Sequence, residues 1–193
     1  MPTTPDATLK TNQTALLTNL ATKKAAINNL FSLAIATPST LGNKWVNARA
    51  QAVTLQTQAN NHLTLCIGNI EADKPWKAAI MSDAQARANA DMNQLISDGD
   101  YLASVIPMTF VFDAGQYPKQ DQESDADYLA RLSSASVNDN ASFNAWKAKA
   151  MSDGLSKVLA DCDSIVNDVV TFIGWIMART QAQIVADRSA GGL

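Results

Sequence analysis

The feature that most constrains the fold is an apolar seam near the C-terminal end. Met151, Leu155, Val158, Cys162, Ile165, Val169, Phe172 and Ile176 follow one another at steps of four and three without a fault. An α-helix, with its 3.6-residue turn, gathers such positions on one face. Leu159, Val166, Ile173 and Met177 lay a second stripe beside the first. A helix apolar over so wide an arc has neighbours on several sides, so it is predicted to be central. We expect it to reach back to Phe143 and on past Ile184, with Gly154 and Gly174 as bends and fraying from residue 188.

The upstream chain supplies the neighbours. A first helix is expected to start after Pro5-Asp6 and run to about Ala36, with Leu9, Leu16, Leu20, Ile27, Leu30 and Ala34 on one face. A second starts at Pro38 or Ser39, where proline is tolerated because its missing N–H would be unpaired anyway. Its seam is Leu41, Trp45, Ala48, Ala52, Leu55, Ala59, His62, Cys66 and Ile70, in which small alanines allow close helix approach. Asp73-Lys74-Pro75 breaks it. A third helix spans residues 75–97, with Trp76, Ile80, Ala84, Ala88, Met92 and Leu95 inward, and Asp98-Gly99-Asp100 reads as its end. Residues 101–126 read as an irregular insert: an apolar extended piece or hairpin, then an acidic loop. Ser124 or Asp125 should cap a brief helix at residues 128–132. The prediction is all-α: one domain, residues 1–193, an antiparallel bundle of about four long amphipathic helices with a short apolar insert near 101–125.

An internal repeat stands out. Trp76-Lys77-Ala78-Ala79-Ile80-Met81-Ser82-Asp83 recurs as Trp146-Lys147-Ala148-Lys149-Ala150-Met151-Ser152-Asp153, and Ala90-Asp91 matches Ala160-Asp161 at the same spacing. Either a helix was duplicated or two Ala- and Asp-rich helices converged. The upstream segments do not match, so a solenoid is not supported.

Composition narrows the function. At 193 residues the chain can bury roughly 70% of its unfolded surface without disulfide or metal. Only 17% of residues are charged, below the usual quarter or so, and Asn, Gln, Ser and Thr take their place. Such a surface suits permanent assembly or a virion or extracellular setting. The net charge of -3 and the absence of a basic stripe argue against nucleic acid as a partner. Cys66 and Cys162 each sit among apolar residues and read as small core side chains. The opening residues resemble no signal peptide, and the longest apolar runs fall short of the ~20 residues that span a bilayer. Export, if any, would use a signal-less route.

Catalytic patterns are missing. His62, the one histidine, has no Gly-rich elbow or acidic orienter near it in sequence and reads as an interhelical hydrogen-bonding residue. One His and two Cys cannot make a zinc set, and no Glu-x-x-His pair exists for a di-iron bundle. Asp121, Glu123, Asp125 and Asp127 alternate like a Ca²⁺ loop but lack the glycine and the terminal Glu, since Leu132 stands there. No phosphate-loop, dinucleotide or nucleophile-elbow motif occurs. We therefore expect no enzyme, no cofactor and no metal.

The segment 102–112 is the candidate contact region, with Val105, Ile106, Pro107, Phe110 and Phe112 its residues. It either folds over the bundle end as core or serves as an apolar tongue for a protein partner or a membrane. The leading expectation is a structural or protein-interaction bundle, such as a virion component or secreted assembly subunit, acting by self-assembly or with a partner. The alternatives are a membrane-active pore-forming toxin and a small-ligand-binding bundle.

Overall fold

The computed structural model describes the backbone of residues 6–68, 76–178 and 186, and the side chains of most of them. Four α-helices account for nearly all of this: α1 (Asp6–Ala36), α2 (Lys44–Gly68), α3 (Trp76–Val105) and α4 (Asp125–Ala178). No β-strand occurs among the described residues. The chain is an all-α antiparallel bundle, with α1 against α2, α2 against α3, α3 against α4, and α4 closing on α1.

Cross-links between helices fix the sense of each pair. Trp45, at the start of α2, donates from Nε1 to Asp100 Oδ1 near the end of α3 (2.7 Å), and Gln56 reaches Asn89 in the same antiparallel register about three turns further on. Lys24 of α1 pairs with Asp163 of α4 at 2.5 Å. Gly154 of α4 lies against Leu102 of α3. One core runs through the middle: Leu16, Leu20, Ile27, Phe31 and Ala34 from α1, Trp45, Ala52 and Ala59 from α2, Met92, Leu95 and Leu102 from α3, Val158, Cys162 and Ile165 from α4. The expected seams are buried wherever their side chains are described, apart from the partly buried Leu30, Ala48, Met151 and Leu155. The side chains of Leu9, Leu55, Cys66, Ile70, Trp76, Ile80, Ala84, Ala88, Val166, Val169, Phe172, Ile173, Ile176 and Met177 lie outside the described residues.

Where the side chains of both copies of the repeat are described, the same positions are buried. Met92 and Cys162 are equivalent positions, as are Leu95 and Ile165, and all four are in the core.

Three expectations need correction. Asp98-Gly99-Asp100 does not end the third helix, which continues to Val105. These residues serve a neighbour instead. A Cβ on Gly99 would sit 2.0 Å from Trp45 Cζ2, so glycine is what lets the indole lie flat on α3. Asp100 also takes Arg49 Nη1 at 3.2 Å. A mid-helix glycine costs about 1 kcal/mol; burying an indole and satisfying its N–H outweighs that. Second, α2 does not begin at Pro38. Pro38–Thr40 forms a 3-10 turn, and Gly42, at φ +41°, redirects the chain before Lys44. Third, the brief helix at 128–132 and the long C-terminal helix are one element of 54 residues.

Phe31 is fully buried and meets Trp45 with ring centroids 5.1 Å apart. Phe31→Ala should cost about 3–5 kcal/mol in chemical denaturation, as for other large-to-small core changes. Gly99→Ala should also destabilise, despite its better helix propensity, because Trp45 has to move. A Gly99→Ala chain as stable as the wild type would refute the close packing of α2 on α3.

Candidate interaction stalk

Helix α4 is far longer than its neighbours, and the pairings show where the excess lies. Gly154 is level with Leu102, three residues before α3 ends. Counting back from Lys24–Asp163 in an antiparallel pair sets the end of α1 level with about residue 151. Residues 125–149 of α4 therefore overhang the bundle by roughly 37 Å at 1.5 Å per residue. None of them is buried; the first buried residue of α4 is Ala150.

The overhang is clasped along one side by the returning chain. After α3 the backbone turns at 106–107 and runs without strand or α-helix, apart from the 3-10 turn Ala114–Gln116, to Ser124. Phe110 packs on Phe143 (5.9 Å), which packs on Trp146 (5.7 Å). Lys147 Nζ donates to the Met108 carbonyl at 2.6 Å. Phe112 stacks on Tyr117, whose hydroxyl donates to the Asp139 carboxylate at 2.8 Å. That hydrogen bond, with burial, raises the phenol above its usual pKa. Further out, Arg131 grips Glu123 through Nε and Nη2, both at 2.8 Å, and also holds the Pro118 carbonyl. The guanidinium depresses the Glu123 carboxyl to about 2. Ser124 accepts from the Asp127 N–H at 3.2 Å and its hydroxyl meets the Asp127 carboxylate, which caps α4 where the sequence placed a cap.

The candidate contact residues do not share a surface. Val105 and Ile106 are 1% and 0% exposed and belong to the core under the bundle end. Pro107 is exposed, while Phe110 and Phe112 are half-buried against different aromatic neighbours. There is no hairpin here, because the strap's backbone faces a helix and makes no ladder. Other apolar side chains are more exposed: Val111 of the same segment at 81%, Leu129, Val137 and Trp146 of α4 at 64%, 66% and 46%, and Val46 and Leu33 of the bundle at 61% and 52%. Sequence reading missed Val137 because it stands alone among Ser, Ala, Asn and Asp, and Leu129 because it falls within what read as a brief separate helix.

Groups with chemistry to offer are scattered. His62 is buried on α2, and burial lowers its imidazole pKa. It edges a groove with Asn12, Asn19, Gln58 and Asn61. Asp161 of α4 meets Asp98 and Asp91 of α3; burial pushes its carboxyl up to about 6, reinforced by Asp98 and Asp91 and opposed by Lys157. Among the described residues no group of three His, Cys, Asp or Glu side chains is arranged to hold a metal. A core cavity lined by Leu20, Ile27, Met92, Leu95 and Cys162 measures only about 20 Å³, room for about one water. In comparisons with known proteins, no family model, curated protein or solved structure matches this chain.

Asp161 gives a pH prediction. Its folded pKa lies above the unfolded one, so the folded chain holds this proton more tightly and the penalty for the charge appears as pH rises from 3.8 to about 6. Asp161→Asn should melt higher than the wild type above that window, with the gap closing toward 3.8. Glu123 has the opposite sign: its contribution is present above 4.5 and is lost toward about 2. A gap that instead widened on acidification would show that Asp161 is paired with a cation. For the strap, Arg131→Met should speed proteolytic cleavage within residues 107–124 while the bundle's melting temperature stays unchanged.

Proposed function

We propose that this chain is a non-enzymatic protein-interaction subunit, of the kind that builds a virion or a secreted assembly, in which the bundle holds out residues 125–149 as a docking arm. One observation carries the reading: a helix of this length stands outside the bundle, fixed along one side by the strap and bare along the other. A bare helix of mixed Ala, Ser and Asn gains little from water, since helices depend mostly on tertiary packing of a face. A rigid arm exposing Leu129 and Val137 is suited to bury them against another protein. The sparse charge supports this, because few ions need to be desolvated on contact.

The rival use of the apolar segment, insertion into a membrane, draws less support. Its most apolar part, through Ile106, is already in the core, and no described helix is long and apolar enough to cross a bilayer.

Two measurements test the proposal. Leu129→Glu with Val137→Glu should leave the melting temperature almost unchanged, since surface changes stay within about 0.5 kcal/mol. A loss as large as that of Phe31→Ala would mean that the arm packs within its own chain. Intact protein should release no dye from vesicles of phosphatidylcholine and phosphatidylglycerol between neutral and mildly acidic pH. Leakage at low protein concentration would replace the docking reading with the membrane-active one.

A further inference from the structure

The bare side of the arm is not a random surface. Ala126, Ala130, Ser133, Val137, Ala141, Asn144 and Ala148 follow at steps of four, three, four, four, three and four, and all are exposed. The next steps, three, four, three, four and three, lead to Met151, Leu155, Val158, Cys162 and Ile165. The bare stripe is thus the upward continuation of the seam that α4 buries in the bundle. It stops being covered where α1 and α2 end, while the strap covers the opposite side of the arm through Tyr128, Leu132, Ala135, Asp139 and Phe143. Above the turn between α1 and α2, the place of a core neighbour is vacant.

We propose that the occupant is the arm of a second copy of this chain, lying antiparallel on the first with its twofold axis at Val137. This rests on the docking-arm reading above and names the partner. Three features select it. The stripe is symmetric about Val137: Ala126 faces Ala148 of the second copy, Ala130 faces Asn144, Ser133 faces Ala141, and Val137 meets itself. Small residues at these positions let two helices approach closely, as in the α2 seam. The charges favour this orientation. The arm's tip is acidic on balance, with Asp121, Asp125 and Asp127 exposed and Lys119 paired to Asp125, and its base carries Lys149, 76% exposed beside its helix partner Asp153. An antiparallel partner brings Asp127 beside Lys149 of the second copy on the same flank; a parallel one would stack the acidic tips. Finally, the tip would land on the end of the bundle formed by α1 and α2. At that end Lys44, the first residue of α2, is exposed to meet it. An isologous contact of this kind closes at two copies and leaves no sticky end.

Sedimentation of the intact protein tests the assignment. The wild type should have the mass of two chains at micromolar concentration. Val137→Arg, which sets like charges face to face on the axis, should raise the dissociation constant about tenfold or more, with the melting temperature of the dilute monomer unchanged. Asp127→Lys and Lys149→Asp should each weaken the dimer, and the double variant Asp127→Lys/Lys149→Asp should restore it. A single-chain mass at every attainable concentration overturns the proposal, as does a dimer indifferent to Val137→Arg. A dimer that Val137→Arg dissociates but the charge exchange does not rescue overturns the antiparallel register. These failures differ from failure of the arm reading, which would appear as loss of monomer stability in Leu129→Glu with Val137→Glu.

Discussion

A helix of 54 residues is packed here against neighbours of 31, 25 and 30, and most other features of the molecule follow from that mismatch. A bundle helix is stable because one face is buried, and burial ends where the neighbours end. Beyond that level the chain has two ways to keep α4 helical: cover it with something of its own, or leave a face for another molecule. It covers one side of the helix and leaves the opposite side bare.

The strap shows how an extended segment can substitute for a helix. It makes no ladder, so it attaches through side chains that bridge to α4 at intervals. These are the Phe110–Phe143 contact, the Lys147 bond to the Met108 carbonyl, the Tyr117–Asp139 hydrogen bond and the two-pronged Arg131–Glu123 pair. Each is modest alone. Glu123 is only 12% exposed, which places the outermost clasp in partly screened surroundings where a charge-assisted fork is stronger than a surface ion pair. The strap holds α4 along one side without enclosing it, which leaves the other side bare.

The bundle itself depends on close approach. Trp45 lies flat on α3 because Gly99 has no side chain, and it is bonded there by Asp100. Ala52 and Ala59 on α2 allow similar proximity further down. Close approach leaves a core cavity of only about 20 Å³ between the four helices, among the described residues.

Periodicity alone determined the helical class, the limits of α1, the inward positions of α2, and the run of α4 that packs on the core from Met151 to Ile165, because apolar burial at a 3.6-residue spacing is a local signal that survives without coordinates. Ser124 was legible as a cap for the same reason: its partner is three residues away. Phe31, Gly99 and the arm were not legible. Phe31 stands beside its seam rather than in it, and only the indole of Trp45 across the helix pair gives it a role. Asp98-Gly99-Asp100 has the composition of a turn, and its use as a landing surface for Trp45 exists only when α2 is laid on α3. The stripe from Ala126 to Ala148 has the right spacing but no hydrophobic contrast, since close-packing residues are small. Whether such a helix lies inside the bundle or beyond it is set by the lengths of the other helices, a comparison between segments that no local pattern contains.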